Sequence, residues 1–302
     1  MANPLNRRRF LTLSAAAASV GAFPAQAAQI SRWRGTALGA SASMILTGMP
    51  EAKAQAVFRA VEDEVARLEQ VFSLYRETSE ISRLNRDGRL SMPSPDLLDV
   101  LSLSARLHSA TNGAFDPTVQ PMWLALANGQ DMAAAQAKTG WHHLRFDTGA
   151  VHLTRPGMAI TLNGIAQGYV TDRVSALLRQ RGLTNILINI GEVAALGGRP
   201  DGTDWQAGIA RPDGQIVHQI ALRDRALATS APLGTVLNDT GMIGHILDPR
   251  AGALSAKRSL VSVSADTAAL ADGLSTALCL MNQDQATAAI DGLPGTRLEL
   301  FT

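Results

Sequence analysis

The chain has 302 residues, of which 46% are hydrophobic and 18% are charged. This length and this hydrophobic content exclude an intrinsically disordered chain and suffice for one large domain, or two modest ones, with a genuine core. The 27 Lys and Arg residues nearly balance the 26 Asp and Glu residues, for a formal net charge of +1. No basic surface therefore indicates binding to nucleic acid or to anionic lipid.

Residues 1–27 are predicted to be an export signal. Three arginines at positions 7–9 precede Phe-Leu and an alanine-rich apolar run, which ends in an A-x-A cleavage motif at residues 25–27. The paired arginines favour the twin-arginine route. The apolar run is shorter than the ~20 residues of a membrane-spanning helix, so cleavage is favoured over anchoring. No cysteine directly follows the motif, and we expect a periplasmic domain over residues 28–302 that does not itself span the membrane.

Helices dominate the first half of this domain. Residues 35–47 alternate loosely between apolar and polar side chains and predict a strand. Pro50 then opens a helix with apolar residues at helical spacing, and Ser94 begins a second helix that ends at Asn112. Between these helices, residues 75–85 are polar and irregular, which by itself predicts a surface loop.

A strand, a glycine turn and a helix follow one another in the middle of the chain. Residues 158–162 predict a short apolar strand, Asn163-Gly164 a tight turn, and the next residues a helix that ends at Gly182. Glycine lets the backbone approach a ligand closely, and the free N–H groups of the first helical turn suit a phosphate. The same pattern is also common structural punctuation, so both interpretations stay open at this point.

Strands dominate the second half. A hairpin is predicted over residues 142–154, and further strands over residues 185–190, 205–210, 216–223, 225–229, 242–247 and 259–264. A helix is predicted from about residue 267 to residue 280, followed by a last helix and strand. Early helices and late strands are typical of the α+β class, with mixed, largely antiparallel sheets packed with helices.

Asp272 and Thr276 lie four residues apart on the predicted late helix. A carboxylate and a hydroxyl therefore emerge on one face, one turn apart. Two hard oxygen ligands at this spacing suit Mg²⁺, which completes its shell with water and substrate phosphates. The spacing alone is common, but the neighbouring residues are apolar, and a buried carboxylate requires a cation or a donor.

Eight blocks of the chain, in their order and at their intervals, resemble the ApbE family of FAD:protein FMN transferases. They are residues 72–76, 79–85, 113–119, 160–174, 188–192, 228–230, 245–250 and 271–277. The resemblance covers nearly all of the chain after residue 30. It implies an α+β fold with a T-fold-related core and the transfer of FMN from FAD to a Ser or Thr hydroxyl of an acceptor protein, with AMP leaving. The acceptor is expected to be a membrane-anchored flavoprotein.

The resemblance also assigns roles to residues. It implies a Mg²⁺ ion held by Asp272, Thr276 and the backbone carbonyl of Ala166. It implies that His245, with Asp248 close behind it, acts as the base for the acceptor hydroxyl or orients that hydroxyl. Contacts to FAD are implied for Tyr75, Asp116, Asn163, Gly164, Gln167, Gly191, Glu192, Thr229 and Ser230. The sequence context of Asp116 is equally typical of a residue that caps a helix or a turn.

Several residues depart from the family pattern. Gln167 stands where the family commonly has Lys, Glu192 where it has Asp, and Leu38-Gly39-Ala40 where it has Met-Gly-Thr. With the twin-arginine-type signal, these departures resemble the NosX-like branch, which flavinylates a membrane partner in nitrous oxide respiration. Two alternatives to transfer stay open: a FAD pyrophosphatase that gives FMN and AMP, and a non-enzymatic FAD-binding assembly factor.

Overall fold

The computed structural model describes residues 16–18, 30–237, 243–251 and 258–302. Most of the predicted export signal, including its cleavage motif, lies outside the described residues, so the signal stays a prediction. Within the described ranges, none of the helices combines the length and the apolar character that a membrane crossing requires.

Helices and strands account for most of the described chain. The helices are α1 (Glu51–Phe72), α2 (Glu80–Asp87), α3 (Pro95–Ala110), α4 (Gln120–Ala127), α5 (Met132–Gln136), α6 (Ala166–Gln180), α7 (Ala268–Leu278) and α8 (Gln283–Asp291). The strands are β1 (Ala16–Ala18), β2 (Ile30–Ala37), β3 (Ala40–Thr47), β4 (Arg89–Ser91), β5 (Leu144–Phe146), β6 (Ala150–Leu153), β7 (Ile186–Ile190), β8 (Glu192–Leu196), β9 (Trp205–Ala210), β10 (Ile216–Leu222), β11 (Ala226–Ser230), β12 (Val261–Ala265) and β13 (Arg297–Phe301).

A seven-stranded sheet forms the centre of the fold. Its strand order is β13-β12-β11-β8-β7-β3-β2, and all neighbouring strands are antiparallel. Strands β7 and β8 read ILINI and EVAAL and are buried almost throughout, because both faces of the sheet are covered. Two antiparallel three-stranded sheets, β1-β9-β10 and β4-β6-β5, complete the strands. The predicted α+β class is confirmed.

Helices cover one face of the central sheet, and β9 with β10 covers the other. Ile188 and Ala228 belong to the large core that the sheet shares with α1, α6 and α7. Leu227, one residue along β11, belongs to a smaller core with Trp205 and Ile209 of β9. Alternation along each strand therefore decides which side chains face the helices.

Three local predictions are corrected. Residues 35–47 form a hairpin of β2 and β3 rather than one strand, and the chain turns at Leu38 and Gly39, both with positive φ. The segment predicted as a loop over residues 75–85 contains α2, whose N-cap Ser79 accepts a hydrogen bond from the Ser82 N–H. Residues 243–247 form no strand, only a single bridge between Gly244 and Val236.

Candidate functional site

Helices α6 and α7 cross in direct backbone contact. A methyl group on Gly168 would lie 2.6 Å from the carbonyl carbon of Ala268 and 2.7 Å from Cα of Ala269, so this crossing requires glycine. The Gly168 N–H donates to Oδ2 of Asp272 at 3.0 Å. The crossing thus places the Asp272 carboxylate at the first turn of α6, where the Gly168 N–H and the helix dipole favour negative charge.

A second carboxylate fixes the same crossing from the α6 side. The two oxygens of Asp172 accept hydrogen bonds from the N–H groups of Ala268, at 2.7 Å, and Ala269, at 2.9 Å, at the start of α7. Burial raises the pKa of Asp172 to about 6, although these two hydrogen bonds oppose the rise. Sequence reasoning missed this residue. The feature of the sequence that could have identified Asp172 is its four-residue spacing from Gly168, which places both residues on one face of α6.

Asp272 and Glu192, here called the acidic pair, are both buried. They are 4% and 6% exposed. Burial raises the pKa of Asp272 to about 7; the Gly168 hydrogen bond opposes this rise and the charge of Asp172 adds to it. Burial and the charge of Asp272 raise the pKa of Glu192. No ion pair in the described part of the chain involves either residue. Buried carboxylates of this kind are stabilised by a bound cation.

Oxygen atoms suited to a divalent cation lie next to Asp272. Thr276 follows one turn later on α7, and its Oγ1 lies 3.4 Å from Oγ of Ser230. Gly164 packs against it, since a methyl group there would lie 3.0 Å from Thr276 Oγ1. The described residues contain no cluster of three His, Cys, Asp or Glu side chains arranged for a metal. An ion at Asp272 would therefore need hydroxyl and backbone oxygens, a set that suits Mg²⁺.

The predicted role of the Ala166 carbonyl as a ligand of the ion stays a prediction. Ala166 is the first residue of α6, so its carbonyl accepts the N–H of Val170 within the helix. The backbone that lies against Thr276 is that of Gly164, two residues earlier in the turn. A backbone ligand for an ion beside Thr276 would thus come from the turn and helix start at residues 164–166.

Several predicted FAD contacts meet at the first turn of α6. The Gln167 side chain lies over Gly191, where a methyl group would come within 2.9 Å of its Cδ. Gly191 has a φ of +84°, which also favours glycine. Ser230 reaches the same region through its contact with Thr276. Asn163, in the turn, is exposed. These residues place polar atoms around the N-terminal end of α6, whose dipole favours an anion such as a phosphate.

The Thr229 hydroxyl is not part of this arrangement. It lies 2.9 Å from Oγ of Ser262 in a buried position, on the face of β11 opposite to Ser230. This hydroxyl thus has Ser262 as its partner, and its predicted contact to a nucleotide stays a prediction. What Thr229 supplies is its backbone N–H, which hydrogen-bonds to Glu192.

His245 is held in one tautomer by the turn that follows Ser230. Its Nδ1 lies 3.0 Å from the carbonyl oxygen of Pro232 and 3.3 Å from that of Thr235. Both oxygens are acceptors, so Nδ1 carries the proton and Nε2 keeps a free lone pair. Burial lowers the pKa of His245 below 6.5, although the two backbone contacts oppose this. The imidazole is therefore neutral at pH 7 and able to accept a proton at Nε2.

Both carboxylate oxygens of Asp248 are hydrogen-bonded to Arg250. Its Oδ1 accepts the backbone N–H and the Nε–H of Arg250 at 2.9 and 2.8 Å, and its Oδ2 accepts the Nη2–H at 2.7 Å. Burial opposes ionisation, but these hydrogen bonds lower the pKa of Asp248 overall. The Arg250 guanidinium also donates to the carbonyl oxygens of Asn112 and Leu280. Asp248 thus fixes this loop through Arg250, and its predicted catalytic role stays a prediction.

Two further residues with predicted FAD contacts are Asp116 and Tyr75. Asp116 caps a 3-10 turn, accepting from the N–H and Oγ1–H of Thr118 and from the Trp141 N–H. It also borders a cavity of about 430 Å³ that Arg250 helps to line. Tyr75 is 55% exposed. The predicted contacts of both residues to FAD stay predictions.

A methyl group at the helix crossing should be poorly tolerated. Gly168→Ala is expected to destabilise the protein by about 2 kcal/mol or more, because the Ala268 backbone cannot move away from it. Thermal unfolding measures the effect. Gly292→Ala is the matched control, since a methyl group there stays 3.3 Å from the nearest atom, the Ala288 carbonyl oxygen. Equal melting temperatures for the two variants would contradict the tight crossing.

Most of the chain is similar to known proteins of one family. A model of the ApbE family matches residues 38–298. The FAD:protein FMN transferase of Vibrio cholerae serotype O1 is 30% identical over 257 residues, 77% of this chain and 77% of that protein. The FAD:protein FMN transferase of Klebsiella pneumoniae is 27% identical over 275 residues, 83% and 79% of the two chains.

Solved structures agree with these relatives. The flavin transferase ApbE from Vibrio cholerae has a TM-score of 0.76 and 27% identity, covering 87% of this chain and 90% of that one. The apo form of the Pseudomonas stutzeri flavinyl transferase ApbE has a TM-score of 0.76 and 26% identity, covering 89% and 90%. Because the family model spans most of the chain and these structures share its fold, the chain belongs to the ApbE family.

Proposed function

We propose that this protein is a FAD:protein FMN transferase that uses Mg²⁺. It transfers the FMN half of FAD to a Ser or Thr hydroxyl of an acceptor protein and releases AMP. The observation that carries the proposal is the acidic pair, buried at the first turn of α6 with no ion-pair partner in the described part of the chain. The names of the relatives support the same reaction.

The site residues would divide the work as follows. Asp272 and Thr276 would hold the ion, together with a backbone carbonyl from residues 164–166, where the resemblance implies that of Ala166. The positive end of the α6 dipole and the Gln167 side-chain amide would bind the phosphates of FAD. When bound, Mg²⁺ orients these phosphates and offsets the negative charge that develops on the leaving AMP oxygen. Gln167 donates hydrogen bonds but adds no positive charge, so the phosphates depend on the ion for neutralisation.

His245 is the proposed base. Its Nε2 accepts the proton of the acceptor hydroxyl while the hydroxyl oxygen forms a bond to the phosphorus nearer the flavin. The bond from that phosphorus to the AMP oxygen breaks, and AMP leaves with the electron pair. The product is a phosphoester between FMN and the acceptor side chain. The carbonyl oxygens of Pro232 and Thr235 keep the imidazole in the tautomer that this step needs.

The cellular compartment of the protein and the identity of its acceptor are also proposals. The arginines and apolar run of residues 1–27 support export to the periplasm. A periplasmic transferase would modify an acceptor facing the same compartment, such as a membrane-anchored redox flavoprotein. The sequence departures at Gln167 and Glu192 support a NosX-like role in nitrous oxide respiration.

The test combines the purified protein with FAD, Mg²⁺ and a candidate membrane-anchored acceptor that carries a Ser or Thr site. In-gel fluorescence of the acceptor and chromatography of AMP are measured together. We expect a fluorescent acceptor and AMP in equal amounts, and neither without Mg²⁺. AMP release without any acceptor would instead indicate a FAD pyrophosphatase. Tight FAD binding with neither product would indicate an assembly factor.

A further inference from the structure

Glu192 occupies a position that the fold specifies closely. Strands β7 and β8 pair Ile190 directly with Glu192, so Gly191 alone makes the turn between them. The Oγ1–H of Thr171, on α6, donates to the Ile190 carbonyl oxygen at 3.2 Å. Because Gly191 also packs against Gln167, this turn is fixed against the first two turns of α6 at two points.

The Glu192 carboxylate points into the protein and is almost without donors. Its exposure of 6% leaves little contact with solvent. The Thr229 N–H hydrogen-bonds to it, and Asp272 lies close enough for the two charges to interact. Within the described ranges no Lys or Arg forms an ion pair with it. An ionised carboxylate has about four acceptor positions, so most of them are available to another donor.

We infer that Glu192 is a positioning residue for the ion at Asp272: its carboxylate accepts hydrogen bonds from water ligands of that ion and adds a second negative charge. The inference rests on the proposed function. Mg²⁺ usually retains several waters, and carboxylates that hold such waters influence both affinity and geometry. The family resemblance implied that Glu192 contacts FAD. In this inference Glu192 instead helps to hold the hydrated metal ion.

The test measures Mn²⁺ binding by electron paramagnetic resonance in the absence of FAD. Glu192→Gln keeps the size of the side chain and an acceptor for the Thr229 N–H but removes the charge. We expect its Mn²⁺ dissociation constant to rise about 10- to 100-fold. Its metal-free melting temperature should equal or exceed that of the parent protein, because two buried like charges are reduced to one. Glu77→Gln, an exposed charge removal, is the matched control and should change neither value.

A second variant separates charge from shape. Glu192→Asp keeps the charge on a shorter side chain and should lose less Mn²⁺ affinity than Glu192→Gln. Equal losses in both variants, or a Glu192→Gln affinity within twofold of the parent, would overturn the inference. If Asp272→Asn abolishes Mn²⁺ binding while Glu192→Gln leaves it intact, the proposed transferase stands and only the role of Glu192 falls. If the parent protein binds no Mn²⁺ and labels no acceptor, the proposed function fails with it.

Discussion

Asp272→Asn is expected to lower the rate of FMN transfer by at least about a hundredfold at fixed FAD and Mg²⁺. Asparagine keeps an oxygen that can accept the Gly168 N–H, so the helix crossing survives. It removes the only carboxylate of the proposed ligand set and with it most of the attraction for the ion. The measurement is acceptor labelling over a range of Mg²⁺ concentrations. Asp63→Asn, an exposed change on α1, is the control.

The same variant makes a prediction about stability and pH. Burial raises the pKa of Asp272 from 3.8 to about 7, so the folded state binds this proton more tightly than the unfolded state does. The free energy of unfolding of the metal-free protein should therefore fall as the pH rises from about 4 towards 7. In Asp272→Asn this slope should be smaller, because the contribution of Asp272 is lost while those of Asp172 and Glu192 remain. Identical slopes, or full transfer by the variant, would contradict the assignment.

His245→Gln is expected to lower the transfer rate by about 10²- to 10⁴-fold while FAD binding stays unchanged. The reason is the loss of the Nε2 lone pair that receives the acceptor proton. Because burial lowers the pKa of His245 below 6.5, the parent rate at saturating Mg²⁺ should be constant above pH 6.5 and decline only below that value. The variant should lack this inflection.

His218→Gln changes an exposed histidine on β10 and serves as the control for His245. Its rate and pH profile should match those of the parent. A His245→Gln protein that transfers FMN within threefold of the parent would show that another group receives the proton.

Periodicity made the helices of the fold predictable. Apolar residues at helical spacing located α1, α3, α6 and α7, and the four-residue spacing of Asp272 and Thr276 placed both on one face of α7. The segment that contains α2 was predicted to be a loop, although Ser79 is a typical N-cap residue. Its polar composition outweighed this single signal.

Other parts of the site depend on contacts that a linear pattern does not contain. Whether Ala166 or Gly164 faces Thr276 depends on the exact start of α6, and helix starts are uncertain by one or two residues. Thr229 and Ser230 are adjacent in a motif, yet strand alternation sends their hydroxyls to opposite faces. The burial of Glu192 and the capping of α7 by Asp172 arise only when distant segments pack together.

The crossing of α6 and α7 has a consequence for the order of folding. Its hydrogen bonds join residues that are 96 to 104 positions apart in the chain. A growing polypeptide that has reached only β11 possesses the N–H groups of α6 but neither Asp272 nor Thr276. Ion uptake therefore has to wait for closure of this long loop, a slow step whose entropy must be offset by late contacts. Metal loading would thus mark the completion of folding and could not guide its beginning.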